Sequence, residues 1–295
     1  MFDALLHVSG RLYAQEPVRR WKFIARSLLY GRSQQAWLRY LSERPWMRRL
    51  VVLRPELLER LHRPYQCRAF NRWGRLEALR AHYETCEQIG WLPLCERAAR
   101  GHMLLARIDA LFEQPARLEL HYDTRFGKEG EWALSLTQGS RRCYTMVLGF
   151  RQHGLGRSLH IGCLQGPDGS GGREQVRALT RAMHGLRPRD LLLEAARELA
   201  SCSECTHLEL VSDAQHIYRS LRKRRRFAFA YDEFAREHGA TPTATRCWSI
   251  SLRRARLPLE QVHARKRAAT ARRRALLDDL REQIRQACAV PAAAQ

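Results

Sequence analysis

In LHIGCLQGPDGSGGREQ, residues 159–175, an alternating apolar run (Leu159, Ile161, Cys163) gives way to glycines and a proline, and a helical pattern then begins. This predicts a strand, a glycine loop and a helix in succession. Such a loop can cradle a phosphate. Unpaired amides and the partial positive charge of a helix start favour an anion, and glycine lets it approach the backbone. Pro-Asp-Gly is equally an ordinary turn sequence, so a plain surface loop remains the other reading.

Working upstream, ARLELHYDTR, EWALSLTQ, CYTMVLGF and RSLHIGCLQ are short alternating runs separated by FGKEG, GSRR and HGLGR. Four such strands predict an antiparallel meander. Residues 1–110 read as helical. Trp21, Ile24 and Leu28, then Trp37 and Leu41, then Leu76, Leu79 and Tyr83 fall at spacings that share a helix face. Pro45, Pro55 and Pro64 divide this part into short helices, and its aromatics read as core.

Downstream of the loop, Val176, Leu179, Thr180 and Met183 mark a helix, with Gly185 as its cap and Pro188 opening a second. A strand in THLELVSD follows. Next come a helix through HIYRSLRKRRR, a strand and turn in FAFAYDEF, and a last helix from about Glu260 to Cys288. Val262, Ala269, Leu276, Leu280 and Ile284 are its expected inner face. The order is that of an α+β protein with a mixed or antiparallel sheet. Its parts are a helical region (1–110), a mixed core (111–258) and a basic C-terminal helix with a short tail (259–295).

The chain has 295 residues, 52 basic against 30 acidic, and a net charge of +22. That excess implies an anionic partner: nucleic acid, a phospholipid surface or a phosphorylated substrate. RKRRR (222–226) and RKRAATARRR (265–274) suit either polyanion, and Trp46, Trp73 or Trp91 suit a membrane interface. A helix-turn-helix can be parsed in residues 174–200, but its second helix opens with three leucines where a DNA-reading helix needs polar side chains. No apolar run approaches the roughly 18 residues of a spanning helix, and the first residues lack a secretory pattern. The cytoplasm is therefore expected, with peripheral contact at the inner membrane left open. The nine cysteines do not suggest a disulfide framework, and the single CxxC at 202–205 is a poor metal site. No metal is assigned.

IGCLQGP (161–167), LTRAMHGLRPRDLLLEAARELA (179–200), VSDAQHIY (211–218), YDEF (231–234) and the RKRAATARRRALLDDL tail resemble the VirK/YbjX family of bacterial proteins, and AHY (81–83) fits it upstream. The resemblance implies a link to virulence, envelope maintenance and resistance to antimicrobial peptides, but no reaction. Family members commonly carry Asn where Asp213 stands and an aromatic where Ala235 stands.

The element order also resembles GNAT-type acyltransferases, whose loop amides bind the pyrophosphate of an acyl-coenzyme A. That resemblance implies Gln165, Gly166, Gly169, Gly171 and Arg173 as the binding loop, displaced by one position. It also implies Tyr218 as the acid that protonates the departing thiolate, with His216 beside it as a base. Arg187 and Arg189, flanking a helix start, are candidate anion ligands; local pairing with Asp190 is the alternative. An enzyme should show a concave pocket where residues 165–173 meet Tyr218. A non-enzymatic adaptor should show a broad basic face instead.

Overall fold

The computed structural model describes residues 10, 13, 15–109, 115–154, 156–167, 169, 171–219, 229–253 and 256–289. The N-terminal part is helical: α1 (Pro17–Glu43, bent at Gly31), α2 (Pro45–Leu53), a 3-10 stretch (Pro55–His62), α3 (Arg72–Gln88) and α4 (Leu92–Arg100). Pro17, Pro45 and Pro55 each open a helix, where a missing N–H breaks no helical bond. Trp37, Met47, Leu50, Leu57, Leu61, Leu79 and Tyr83 form its core. Trp21 and Leu28 were expected inside but are 63% and 45% exposed. Phe23, Ile24 and Ser27 take the inner face instead. His62 packs against the Phe23 ring, and its Nε2 lies 3.4 Å from the Ser27 hydroxyl, which fixes the helix rotation.

The sheet begins inside the segment expected to be helical, with β1 (Met103–Ile108). A six-residue run such as MLLARI is too short for periodicity to separate strand from helix, and pairing with the next strand decides it. The meander is β2 (Ala116–His121), β3 (Trp132–Gln138), β4 (Arg141–His153) and β5 (Gly156–Gln165). Then come α5 (Gly172–Ala182), α6 (Pro188–Cys202), β6 (His207–Leu210), α7 (Tyr231–Glu237), β7 (Thr241–Pro242), β8 (Trp248–Ile250) and α8 (Ala264–Cys288). The eight-stranded sheet has the order β1-β2-β3-β4-β5-β6-β8-β7. It is antiparallel except where β5 and β6 run parallel. The protein is α+β, as expected.

Three further elements differ from the sequence reading. Residues 231–234 open a helix, not a strand, and Asp232 and Glu233 in its first turn complement the helix dipole. His216 and Tyr218 sit in turns following β6, not on a helix; the remainder of that expected helix, with the basic run at 222–226, lies outside the described residues. The last helix starts at Ala264, so Val262 precedes it, and Ala269 is exposed. Its buried residues are Leu277, Leu280, Ile284 and Cys288, one stripe at helical spacing.

α6 packs across β3 to β6, and α8 packs on α6 and β1. Leu191, Leu192 and Leu193 are fully buried there, so α6 presents no face to a DNA groove. Trp46 and Trp91, candidates for a membrane interface, are also core residues; only Trp73 of those three is exposed. No helix among the described residues is long and apolar enough to cross a membrane.

Candidate functional site

The parallel pair creates the site. Pairing between β5 and β6 ends at Ile161 and Leu210, whereas β5 continues to Gln165. The two chains part there, α5 and α6 begin beyond β5, and a cavity of about 1000 Å³ opens between them. Crevices beyond the carboxyl ends of parallel strands are the usual binding places of open sheets.

Gln165, Gly166, Gly169, Arg173, Arg187, Arg189, His216 and Tyr218 all line this cavity. Segments separated by some fifty residues thus meet on one hollow. Gly171 does not line it. It stands at the N-cap of α5, where it offers no side chain to the first amides, and Gly172 takes its place in the wall. Gly169 has φ +92°, a conformation open to glycine at little cost. Glu174 lies in the first turn of α5, so the helix start already holds one negative charge.

Of the six arginines that line the cavity, four are paired with acids, Arg125 and Arg142 both with Asp123. Arg187 donates to Asp190 at 2.7 Å and to Glu237 at 2.9 Å, and Arg189 donates to Glu237 at 2.7 Å. Arg173 and Arg177, one helical turn apart on α5, line the cavity with no acidic partner among the described residues. The cations most available to an anion are therefore on α5.

The apolar wall comes from Phe126, Tyr144, Cys163, Leu164, Phe229 and Tyr231. Phe126 and Cys163 belong to a small cluster with Ala133 and Val147, apart from the main core. Ala133 alternates with Trp132 and Leu134, which face that core, so the cluster sits on the other side of β3. Tyr231 occupies the gap left by β6: its hydroxyl accepts the Leu164 N–H at 3.2 Å.

Sequence reasoning missed Glu129. It lies in FGKEG, the segment read as a hairpin turn, yet it is 3% exposed and lines the cavity. Its Oε2 has no hydrogen-bond partner among the described residues. Burial raises its pKa to about 7. Its backbone is held by the Phe126 carbonyl, which accepts the Glu129 N–H at 2.9 Å, and by close approach to Gly162. A Cβ on Gly162 would lie 1.9 Å from the Glu129 carbonyl oxygen, so only glycine fits. The glycine inside the β5 run was the available signal, because it marks a close backbone contact.

His216 is also buried, and burial lowers its pKa to about 4. Its imidazole is neutral at pH 7 and a weak proton acceptor. Tyr218 is linked to the Glu129 loop through Lys128, whose Nζ stands 4.9 Å from the Tyr218 ring centroid. The helical region braces both loops. Gln66 donates its N–H to the Lys128 carbonyl at 2.7 Å, and Arg68 donates to the Gln215 carbonyl at 2.8 Å.

Two segments that carry the family resemblance lock together behind the cavity. Asp213 Oδ1 accepts the Tyr231 N–H at 3.0 Å, and Asp232 Oδ1 accepts the Asp213 N–H at 3.1 Å and Trp248 Nε1–H at 2.8 Å. At 213 the side chain acts as an acceptor, which Asp provides as well as Asn.

The profile of a family described as protein of unknown function (DUF535) matches residues 14–286. The uncharacterized protein YbjX of Escherichia coli (strain K12) is 30% identical over 90% of this chain and 82% of its own length. An uncharacterized protein of Haemophilus influenzae is 26% identical over 90% of this chain and 88% of its own. A Mannheimia haemolytica protein named membrane protein LapB is 27% identical over 62% of this chain and 78% of its own. No solved structure matches. With one profile spanning the helical region, the sheet and nearly all of α8, the chain belongs to the DUF535 family, that of YbjX.

Proposed function

We propose that the cavity beyond β5 binds a phosphorylated amphipathic ligand, with an acyl-coenzyme A as the leading candidate, and that the protein is a GNAT-like acyltransferase serving the cell envelope. The observation that carries this reading is the convergence of the 165–173 loop, Tyr218 and a buried acid on one hollow. Its volume, about 1000 Å³, is that of a ligand pocket of the larger kind. Arg173, Arg177 and the α5 amides suit phosphates, and the wall of Phe126, Tyr144 and Phe229 suits an acyl chain. The name of the Mannheimia relative, a membrane protein, fits an envelope role, with the protein acting from the cytoplasmic side.

In this reading Glu129 is the general base, a role better suited to its pKa of about 7 than to that of His216, about 4. An acceptor amine or hydroxyl attacks the thioester carbonyl while the Glu129 carboxylate removes its proton. The C–S bond breaks as the acyl group is transferred. Tyr218 gives its proton to the departing thiolate and regains one from solvent, to which Glu129 releases the proton it took. Arg187 and Arg189 act through Glu237 and Asp190, shaping the rim.

A second reading keeps the basic surface and dispenses with catalysis: an adaptor docking on anionic membrane or nucleic acid. Exposed Arg265, Lys266, Arg267 and Arg272 on α8 favour it. A thermal-shift screen with coenzyme A, acyl-coenzyme As, nucleotides and anionic head groups, at low and high salt, separates the two. A ligand at about 100 times its Kd adds about 2.7 kcal/mol, a rise of several degrees. The pocket reading expects a salt-resistant shift with coenzyme A that disappears in Gly166→Asp. Equal, salt-sensitive shifts with every polyanion would overturn it.

A further inference from the structure

Helix α1 carries an apolar face that no described residue covers. Val18 is 66% exposed, Trp21 63%, Leu28 45% and Leu29 74%. On a helix of 3.6 residues per turn these four positions, with exposed Ala25 between them, form one stripe before the bend at Gly31. Arg72 donates to the Leu29 carbonyl at 3.3 Å. The Arg72 side chain thus ties the start of α3 to this end of α1, and the next residue, Trp73, is 45% exposed. Scattered exposed apolar residues are ordinary; a contiguous aromatic and aliphatic stripe is a contact surface.

Charge identifies the partner. From Pro17 to Ser42 the chain contains Arg19, Arg20, Lys22, Arg26, Arg32 and Arg39 and no acidic residue. Lys22, Arg26, Arg32 and Arg72 are exposed and form no ion pair among the described residues. A second copy of the same face would set these cations against each other, because a two-fold interface brings like to like. A surface that accepts tryptophan and leucine at the depth of its head groups and attracts lysine and arginine is an anionic lipid interface.

We propose that the face of α1 formed by Val18, Trp21, Leu28 and Leu29, with Trp73 at the start of α3, docks on an anionic phospholipid bilayer. The helix lies in the interface plane with its apolar stripe among the acyl-chain ends and its cations at the phosphates. The proposal is independent of what the cavity binds.

Flotation of the full chain with vesicles tests it. Vesicles of phosphatidylcholine containing about a third phosphatidylglycerol should carry the protein up, with a blue shift of tryptophan emission, and pure phosphatidylcholine should not. Trp21→Glu with Leu29→Glu should weaken binding about tenfold or more, and Lys22→Gln with Arg26→Gln should make the remaining binding less salt-sensitive. Both variants should melt with the wild type, since the altered side chains are exposed. Failure of the wild type to float, or equal flotation of wild type and Trp21→Glu/Leu29→Glu, overturns the proposal. So does a lower sedimentation mass of that variant without vesicles, which assigns the face to a second copy. A large fall in its melting temperature assigns the face to the chain's own residues 1–9.

Discussion

Glu129 and Glu131 are two residues apart, equally buried, and opposite in character. Glu131, 2% exposed, faces the helical region. Arg60 donates to it at 2.9 and 3.2 Å, Arg54 at 3.1 Å and the Tyr83 hydroxyl at 2.6 Å. Burial alone would raise its pKa; Arg60 and Arg54 outweigh burial and hold it well below the usual carboxylate range. Glu129, 3% exposed, faces the cavity. The same burial, with no ion pair among the described residues and only weaker opposition from the more distant charges of Lys128 and Arg60, moves it to about 7. Pairing, not depth, separates a structural carboxylate from a reactive one. The first joins the helical region to the sheet. The second is left ready to exchange a proton near neutral pH.

The largest expected effect lies on the structural side. Glu131→Ala strands the buried Arg60 guanidinium and leaves that of Arg54 with Glu56 alone, and should destabilise the protein by about 3–5 kcal/mol, read from the urea midpoint of unfolding. A loss below about 1 kcal/mol would mean that the helical region and the sheet are not joined through this carboxylate.

Glu129→Gln should alter the pH dependence of stability more than its value at acid pH. Because the folded pKa is raised from 4.5 to about 7, the native state holds a proton that the unfolded chain releases. The resulting stabilisation is complete below about pH 4.5 and lost as pH rises through 7. The wild type should therefore lose about 3 kcal/mol relative to the glutamine variant over that range. Parallel curves of melting temperature against pH would show that Glu129 titrates as an ordinary carboxylate. If the protein transfers acyl groups, the same variant should also lose the alkaline-rising limb of its kcat/KM profile.

Gly162→Ala should cost about 1–3 kcal/mol through overpacking against the Glu129 backbone. It should also return the Glu129 pKa toward 4.5, as the displaced loop lets water in. A change in stability without a change in that titration would separate the glycine's packing role from the acid's.

The meander, the parallel strand after it and the two central helices were legible because each has its own local signal: alternation between turn residues, a proline at a helix start, a glycine past a helix end. The cavity loop was legible in the same way. Its neighbours were not. Nothing in FGKEG distinguishes a solvated hairpin tip from a turn pressed against β5, and the lone glycine at 162 was the trace left by that contact. Trp21 and Leu28 share the spacing of Ile24, yet which face is inward depends on where His62 arrives from the 3-10 stretch. Tyr218 was placed on a helix because its chain segment has helical composition; Lys128 and the Gln215 carbonyl's partner, Arg68, come from elsewhere.

By itself the sequence determined the α+β class, the strand-to-helix transition at 165–172 and the family, since these rest on periodicity, turn chemistry and contiguous motifs. The tertiary structure decided which residues share a cavity. Parting of β5 from β6 after Ile161 brought the 165–173 loop, His216 and Tyr218 together. It also left Glu129 without an ion-pair partner among the described residues while giving Glu131 two. A pKa follows from burial and from charges nearby in space, and the charges here come from chain segments 71 and 77 residues away, beyond the reach of any local pattern.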